Sequence, residues 1–314
     1  MIGVTGANGF IGKELVKRLL NDGFKVTSFM RNPTYNETAH NLIKKKFPDL
    51  NGISDFSETI HGIDTLFHCA ARVHIFNEND KDALSDFLEV NLEGTINLAK
   101  TASKAGVKRF IFLSSVKACG ESTELNLPMN EKLIPKPMDS YGYSKLLAEK
   151  ELLNLAKETN MEIVIIRPVV IYGPGVKGNI SKLIRLVKKQ YFLPFGGVNN
   201  KRSLLSITNL LDLMIICIDH PNAANQIFFV SDGADKSLPE IILAISNVLK
   251  SKILIFTFPV IILKFFLFII GKKKLINRLF GSLQVDIKRA KMELGWEPKN
   301  KFEDELIKCI YSDK

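Results

Sequence analysis

The strongest fold signal in the chain is the run Ile2-Gly3-Val4-Thr5-Gly6-Ala7-Asn8-Gly9-Phe10-Ile11-Gly12. Its first residues, Ile2 to Thr5, predict a short buried strand, and apolar residues at helical spacing follow Gly12. Gly6 permits a tight turn, Gly9 lets a pyrophosphate approach the backbone, and Gly12 lets helix and strand pack closely. The helix amino terminus adds N–H donors and a positive dipole. We therefore expect a dinucleotide to bind at Gly6, Asn8, Gly9, Phe10, Ile11 and Gly12.

Further short apolar runs alternate with helical stretches along the first half of the chain. They are Lys25 to Met30, Asp64 to His68, Arg109 to Leu113 and Glu162 to Ile166. This alternation predicts a doubly wound parallel α/β sheet of the Rossmann type, with ligands beyond the carboxyl ends of the strands. We expect a dinucleotide-binding domain over residues 1–174. The alternation then loosens, which predicts a smaller mixed α/β substrate domain over 175–314.

The composition points to an anionic partner and excludes several kinds of site. The 314 residues include 43 basic and 33 acidic ones, and the net charge is +10. A nucleotide, a nucleic acid or an acidic membrane would fit this charge. Without zinc-ligand spacing, a basic zipper or RNA-binding aromatic motifs, we set nucleic acid aside. The four cysteines form no C-x-x-C pair and no basic leader precedes Ile2, so we expect no metal site and a reduced, cytoplasmic setting.

The end of the second predicted strand bears on the choice of cofactor. No acidic residue stands there to accept hydrogen bonds from an adenosine ribose, and Arg31 follows Met30 directly. A cation at this place favours NADP, which carries an additional phosphate on that ribose. Arg31 would equally suit a solvated loop, so both NAD and NADP are left open.

A tyrosine and a lysine four residues apart form a candidate acid–base pair. In a helix, the spacing of Tyr141 and Lys145 puts the phenol and the ammonium on one face. A free phenol has a pKa of about 10, and a neighbouring cation would lower that pKa towards neutrality. Ser115 follows a predicted strand, where its hydroxyl would face the cofactor crevice. The alternatives are a solvated helix face for the pair and a helix cap for Ser115.

Several motifs stand in one order along the chain: the glycine loop from Thr5 to Gly12, His68-Cys69-Ala70-Ala71, Asn91, Ser115, the Tyr141/Lys145 pair, Arg167-Pro168 and Tyr172-Gly173-Pro174. In this order they resemble the extended short-chain dehydrogenase/reductases of the NAD-dependent epimerase/dehydratase family, over nearly the whole chain. The resemblance implies that the catalytic residues are Ser115, Tyr141 and Lys145. It also implies cofactor contacts by Asp55 and Phe56, at the adenine, and by Ala70, Ala71, Tyr141, Lys145 and Pro168.

The same resemblance suggests how a substrate would be held. Arg202 is similar to an arginine that clamps the pyrophosphate of UDP-sugars, a task suited to a planar bidentate donor. Asn179 is similar to a nucleotide-binding position, and Ser115 would contact the sugar. The alternative for Arg202 and Asn179 is an ordinary surface position. Val116-Lys117 stand where sugar-nucleotide dehydratases carry Asp-Glu, which argues against dehydration.

Segments 173–179, 220–233 and 281–286 are similar to the bacterial UDP-N-acetylquinovosamine dehydrogenases, which are often filed with UDP-glucose 4-epimerases. This narrower resemblance implies NAD(P)-dependent reduction at C4 of UDP-4-keto-6-deoxy-N-acetylglucosamine, for surface polysaccharide such as O-antigen. One alternative is a UDP-glucose or UDP-N-acetylglucosamine 4-epimerase that keeps its NAD bound. Another is a non-catalytic dinucleotide-binding subunit.

Residues 253–274 form a long apolar segment that ends in lysines. Pro259 and Lys264 interrupt it, so we expect a buried strand over Ile253 to Phe258 and an apolar helix over Val260 to Ile270 rather than a membrane span. Peripheral attachment of 253–274 to an acidic membrane, at its inner face, is the alternative. The sequence leaves the oligomeric state open, a homodimer included.

Overall fold

The computed structural model describes residues 1–33, 39–73, 80–189 and 191–311, without the side chains of 80–83 and 274. The strands are β1 (Ile2–Thr5), β2 (Val26–Met30), β3 (Leu42–Lys46), β4 (Thr65–His68), β5 (Arg109–Leu113), β6 (Glu162–Pro168), β7 (Val170–Tyr172), β8 (Phe192–Leu193), β9 (Leu204–Ser206), β10 (Gln226–Val230) and β11 (Leu254–Ile255). The helices are α1 (Phe10–Asn21), α2 (Asp80–Leu88), α3 (Thr95–Lys104), α4 (Ser140–Glu158), α5 (Asn179–Lys189), α6 (Ile207–Ile216), α7 (Leu238–Leu249), α8 (Val260–Ile269), α9 (Lys273–Phe280), α10 (Lys288–Leu294) and α11 (Phe302–Tyr311).

Seven of these strands form one parallel sheet in the order β10-β6-β5-β4-β1-β2-β3. The predicted doubly wound sheet is therefore confirmed. Strands β1, β2, β4 and β5 are buried along their whole length, because helices cover both faces of such a sheet. The strand order reverses between β1 and β4, and the crevice at such a reversal is where ligands bind in open α/β sheets.

Alternate residues of the central strands pack into two separate cores, one on each face of the sheet. On β5 and β6, Ile111 and Val164 belong to one core, while Phe110 and Ile163 belong to the other. This division follows from the two-residue period of a strand, which points successive side chains to opposite faces. The sheet is thus anchored on both sides, and its carboxyl edge is a rigid platform for a site.

Two edge strands escape sequence prediction for different reasons. Strand β3 contains Lys44, Lys45 and Lys46, so it lacks the apolar run that marks a buried strand. Charged residues are common on exposed sheet edges, where they discourage pairing with another chain. Strand β10 lies beyond residue 174 but pairs with β6 at the opposite edge. The chain therefore does not divide at 174/175 into two continuous units, because β10 returns to complete the nucleotide-binding sheet.

Helices α5, α7 and α11 pack around a third core. Two small strand pairs, β7 with β9 and β8 with β11, are separate from the main sheet. The predicted buried strand over Ile253 to Phe258 is wrong in extent and burial. Only Leu254–Ile255 is a strand, and Leu254 is 56% exposed. The apolar helix begins at Val260 as expected and ends at Ile269, and no helix in the described ranges is long and apolar enough to cross a membrane.

Candidate active site

The glycine loop has the geometry that a bound pyrophosphate requires. Gly6 has a φ of +64°, and the Gly9 amide donates to the Gly6 carbonyl oxygen at 2.8 Å. A Cβ added to Gly12 would lie 2.2 Å from that same oxygen, so only glycine allows α1 to start so close to β1. Helix α1 begins without a side-chain cap, which leaves its first N–H groups available to an anionic ligand. These residues fit a dinucleotide, whose pyrophosphate would lie against the amides of Phe10, Ile11 and Gly12.

The loop after β4 packs directly against this glycine turn. A Cβ on Gly6 would come within 2.8 Å of the Ala70 amide nitrogen, and that amide donates to the Thr5 hydroxyl at 3.3 Å. Asn91 accepts from the Arg72 amide at 2.9 Å and donates to the Ser144 hydroxyl at 3.1 Å. The contacts of Asn91 therefore join the Ala70–Ala71 loop to α4.

His68 is a structural residue at the end of β4. Its ring is fully buried, with Nδ1 2.8 Å from the Thr5 hydroxyl and Nε2 3.0 Å from the Thr95 hydroxyl. Burial, together with the Lys145 charge, lowers the pKa of His68 to about 3. The imidazole is therefore neutral, and it links β1, β4 and α3 rather than serving as an acid.

Helix α4 brings Tyr141 and Lys145 to the carboxyl edge of β5. Asp139 caps this helix by accepting from the Gly142 amide at 2.7 Å. Close packing explains the glycine, because a Cβ at position 142 would lie 2.2 Å from the Lys117 carbonyl oxygen. The turn that follows Ser115 thus touches the first turn of α4. As predicted, Tyr141 and Lys145 lie one helical turn apart, next to the segment that carries Ser115.

Ser115 both caps a turn and reaches the tyrosine. Its Oγ accepts from the Lys117 amide at 3.2 Å, which is the capping role considered from the sequence. The Ser115 hydroxyl also acts on Tyr141 and lowers the pKa of its phenol. The cap fixes the position of the hydroxyl, and a fixed donor next to the phenol suits a developing negative charge on substrate oxygen.

Lys145 is a cation held almost without solvent contact. Only 1% of the residue is exposed, its ammonium donates to the Leu113 carbonyl oxygen at 2.9 Å, and it lies 4.3 Å from the centre of the Phe112 ring. Burial lowers the pKa of Lys145 to about 8, although the charge of Glu149 acts in the opposite direction. The end of β5 thus positions the ammonium below the crevice.

The structure does not display the predicted lowering of the Tyr141 pKa by Lys145. Burial of the phenol and the negative charge of Asp139 raise the pKa of Tyr141 well above its usual value, while the Ser115 hydroxyl acts to lower it. The Lys145 ammonium points to the Leu113 carbonyl instead of the phenol oxygen. Tyr141 is consequently held as a neutral phenol, which is the form that can donate a proton.

Two supporting networks were not predicted from the sequence. Arg167 pairs with Glu149, with Nη2 to Oε2 at 2.6 Å, and Ser114 Oγ donates to the same carboxylate at 2.5 Å. Arg167 and Glu149 are 18 positions apart on different elements, so no local pattern marks the pair. Lys117 bonds to Asp139 and to Glu121, the latter at 2.7 Å. Although burial acts to raise it, these contacts keep the pKa of Asp139 below its usual value.

A cavity of about 500 Å³ lies beyond the ends of β2 and β3. Its lining includes Arg31, which follows β2, and Lys46, which is the last residue of β3. The two strands are neighbours, and Met30 of β2 pairs with Lys46. The other lining residues are Asn8, Asn32, Phe47, Pro48 and Asp49. The cavity therefore combines the glycine loop with two basic side chains, of which Lys46 was not predicted as a ligand.

The remaining predicted ligands are placed as follows. Phe56 is fully buried and its ring stacks on Phe47 with centres 5.0 Å apart, so a contact with adenine would use its backbone. Asp55 is exposed and accepts from the Ser57 amide at 2.9 Å. Pro168 is the last residue of β6, and Asn179 is exposed at the first position of α5. The roles of all four residues stay predictions.

Arg202 contacts backbone carbonyl groups in and just after helix α9. Its Nη1 donates to the Gly281 carbonyl oxygen at 3.0 Å and approaches the Asn277 carbonyl oxygen at 3.4 Å. Burial lowers the pKa of Arg202, as does Arg278, while the charge of Glu121 acts in the opposite direction. Because Glu121 also bonds to Lys117, the structure connects Arg202 electrostatically to the turn that holds Ser115.

Comparisons with known proteins agree with this fold and sequence. A model of the NAD dependent epimerase/dehydratase family matches residues 2–230. A UDP-glucose 4-epimerase of Vibrio cholerae is 44% identical over 297 residues, which cover 94% of this chain and 90% of that protein. UDP-glucose 4-epimerase of Thermotoga maritima, solved with UDP-glucose, has a TM-score of 0.79 at 22% identity and covers 99% of this chain and 98% of its own. UDP-glucuronic acid 4-epimerase of Bacillus cereus, solved with NAD, has a TM-score of 0.79 at 20% identity and covers 99% and 97%.

Proposed function

Because the chain belongs to the NAD-dependent epimerase/dehydratase family, we propose that it catalyses reversible oxidoreduction at C4 of a UDP-linked sugar. The observation that carries this proposal is the cluster of Ser115, Tyr141 and Lys145 at the carboxyl end of β5. The glycine loop, which is suited to a pyrophosphate, follows β1 of the same sheet. The 44% identical Vibrio cholerae relative, itself called a UDP-glucose 4-epimerase, supports a UDP-sugar as the substrate.

Each of the three side chains has a definite task. The neutral phenol of Tyr141 donates its proton to the C4 oxygen of a keto-sugar, and accepts it back in the oxidative direction. Ser115 donates a hydrogen bond to the same oxygen as negative charge develops there. Lys145 contributes a buried positive charge that favours the phenolate left after the transfer. When bound, the nicotinamide supplies the hydride.

For the net reaction, we propose reduction of UDP-4-keto-6-deoxy-N-acetylglucosamine. Two basic side chains, Arg31 and Lys46, line the cavity beyond β2 and β3, and they suit the ribose phosphate of NADPH. A reductase consumes its cofactor in each turnover, whereas an epimerase keeps it bound. A basic pocket for NADPH therefore favours the reductase.

The test is an assay of the purified protein with UDP-4-keto-6-deoxy-N-acetylglucosamine and either NADPH or NADH. We expect stoichiometric loss of the absorbance of the reduced nicotinamide. If the absorbance stays constant while UDP-glucose and UDP-galactose, or their N-acetyl forms, interconvert, the reductase is wrong and the protein is a 4-epimerase. That second candidate is favoured by the name of the Vibrio cholerae relative.

The basic cavity leads to a prediction on cofactor choice. Replacing Arg31 with Ser removes a charge-assisted contact to phosphate, so the affinity for NADPH should fall about tenfold or more while that for NADH changes little. Fluorescence titration with each reduced cofactor measures this. Lys25→Ser is the matched control, because Lys25 is exposed and precedes the opposite end of β2. Equal losses for both cofactors in the Arg31 variant would contradict the proposed phosphate contact.

A further inference from the structure

Apart from Lys264, the exposed side chains of helix α8 (Val260–Ile269) are apolar. No residue of this helix is buried, and Ile261, Phe265 and Ile269 are 81%, 63% and 64% exposed. Ile262, Phe266, Phe268 and Ile270 are exposed as well. Other surface helices of the chain turn an apolar stripe inward, as α5 does with Ile180, Ile184 and Val187. A contiguous apolar surface of this kind marks an interaction site.

The small strand pair next to α8 extends this surface. Leu254 of β11 pairs with Phe192 of β8, and the two are 56% and 65% exposed. Tyr191 and Phe256 flank them and are exposed too. A Cβ at Gly197, four residues after β8, would lie 3.8 Å from Val260, so the chain that follows β8 packs against the start of α8. We call α8 with Tyr191, Phe192, Leu254 and Phe256 the apolar face.

The two stretches of chain that form the apolar face carry positive charge alone. Residues 241–285 contain seven Lys and Arg residues and no Asp or Glu, and residues 163–211 contain eight and none. The exposed ammonium groups near the face are those of Lys188, Lys189, Lys252, Lys264, Lys272 and Lys273. Lys273 lies 4.3 Å from the centre of the Phe268 ring. Apolar and aromatic side chains bordered by lysines match a lipid interface with anionic headgroups.

A second copy of the chain is a poor occupant for this face. A symmetric dimer places the same patch of both subunits in contact, which would bring lysines against lysines. No acidic residue of 163–211 or 241–285 is present to pair with them. Like charges that face each other across an interface cost free energy and suppress pairing.

We propose that the apolar face docks the protein on an anionic phospholipid surface. Helix α8 has 10 residues and is about 15 Å long, half the hydrocarbon thickness of a bilayer, so it would lie in the interfacial plane. The next helix, α9, ends at the carbonyl groups that accept from Arg202. Because α8 packs against α9, docking brings the helix that contacts Arg202 close to the lipid headgroups. This inference does not depend on the sugar proposed above.

The test is sedimentation of the full chain with vesicles of phosphatidylcholine alone or with added phosphatidylglycerol. We expect binding to the anionic vesicles, no binding to the neutral ones, and release of bound protein in high salt, because salt screens the lysines. Binding that persists in high salt would indicate insertion rather than surface docking and would overturn the proposal. Absence of binding to anionic vesicles would overturn it as well.

Two pairs of variants separate the apolar and the charged contributions. Ile261→Ser with Phe265→Ser should lower vesicle binding at least about tenfold, and so should Lys272→Glu with Lys273→Glu. Controls elsewhere on the surface are Ile53→Ser with Met292→Ser, and Lys104→Glu with Lys150→Glu, which should bind as the wild type does. All variants should keep the wild-type thermal unfolding transition and cofactor affinity. Equal binding by test and control variants would contradict the assignment.

Gel filtration of the same variants tests whether a second copy of the chain covers the apolar face instead. If Ile261→Ser with Phe265→Ser converts an oligomer to a monomer while vesicle binding is unchanged, the face is an interface between copies and the proposal is wrong. We expect the elution volume to be the same for this variant and for the Ile53→Ser with Met292→Ser control.

Discussion

Lys145 is the residue whose surroundings bear most directly on chemistry. Burial lowers the pKa of the Lys145 ammonium to about 8, because the protein interior replaces its hydration poorly. The Leu113 carbonyl holds it at the end of β5, at 2.9 Å. Tyr141, one turn earlier, is shifted the other way and stays protonated. Two groups whose environments move their pKa values in opposite directions form a pattern typical of an acid–base site.

The pKa of Lys145 predicts how activity depends on pH. In the free protein the ammonium is protonated below about pH 8 and loses its charge as pH rises through that value. Since the positive charge supports the phenolate, kcat/KM should decline above about pH 8. Lys145→Arg keeps its charge, so a residual activity in that variant should lack this decline. A variant profile that falls at the same pH as the wild type would assign the decline to another group.

At this scale the sequence predicted which residues meet but not how they affect one another. The spacing of Tyr141 and Lys145 and the position of Ser115 after a strand are local patterns, and the structure brings all three together. The pKa of Tyr141 depends on Asp139 and on burial, which no spacing reveals. Lys46 was missed as a cavity residue because its position depends on the pairing of β3 with β2.

Helix α4 connects the candidate catalytic residues to the sheet. Tyr141 and Lys145 lie in its first two turns, and Glu149, one turn later, pairs with Arg167 of β6 and accepts from Ser114. Glu149 and Arg167 are 1% and 3% exposed, so each needs the other to satisfy its charge. This buried pair fixes the rotation and the height of α4 relative to β5 and β6.

Breaking that pair should destabilise the protein strongly. Glu149→Gln leaves the Arg167 guanidinium buried without its counter-charge, and we expect a loss of about 3 kcal/mol in the free energy of unfolding. Urea denaturation followed by circular dichroism measures this loss. Glu151→Gln is the control on the same helix, where the carboxylate is exposed, and it should cost under about 0.5 kcal/mol. Equal stabilities of the two variants would show that the pair contributes little.

The elements also differ in how readily a sequence reveals them. Strands β1 and β5 are continuous apolar runs and were predicted close to their observed bounds. Strand β3 contains three lysines, which edge strands tolerate, so its sequence does not have the apolar pattern of a buried strand. Strand β11 has only two residues, fewer than its apolar sequence predicts. Strand β10 joins the sheet through pairing with β6, a contact between distant parts of the chain. Local patterns record burial, whereas these three elements are defined by tertiary pairing.

On the scale of the whole molecule, the nucleotide-binding sheet depends on residues near the carboxyl terminus. Ile287, Leu294 and Trp296 belong to the same core as Phe228 and Phe229 of β10. The family match ends at residue 230, yet the side chains that cover this edge of the sheet come later in the chain. Residues 2–230, which match the family, therefore depend on residues after 230 to cover this edge of the sheet.

This packing predicts that a fragment ending at residue 230 fails to fold. Without the later residues of the shared core, β10 would expose Phe228 and Phe229 to water, at a cost of several kcal/mol, about the whole stability of a domain. Thermal unfolding of fragment 1–230 should lack the cooperative transition that the full chain displays. A cooperative transition together with cofactor binding by the fragment would contradict this dependence.

The central claim is that Tyr141 relays a proton during hydride transfer at C4 of a UDP-sugar. The direct measurement compares wild type with Tyr141→Phe, which keeps the ring and removes only the hydroxyl, in the oxidation of NAD(P)H by UDP-4-keto-6-deoxy-N-acetylglucosamine and in the interconversion of UDP-hexoses. We predict that the variant binds cofactor as the wild type does and that its turnover falls by a factor of about 10² to 10⁴. Turnover at the wild-type rate by the phenylalanine variant would contradict it.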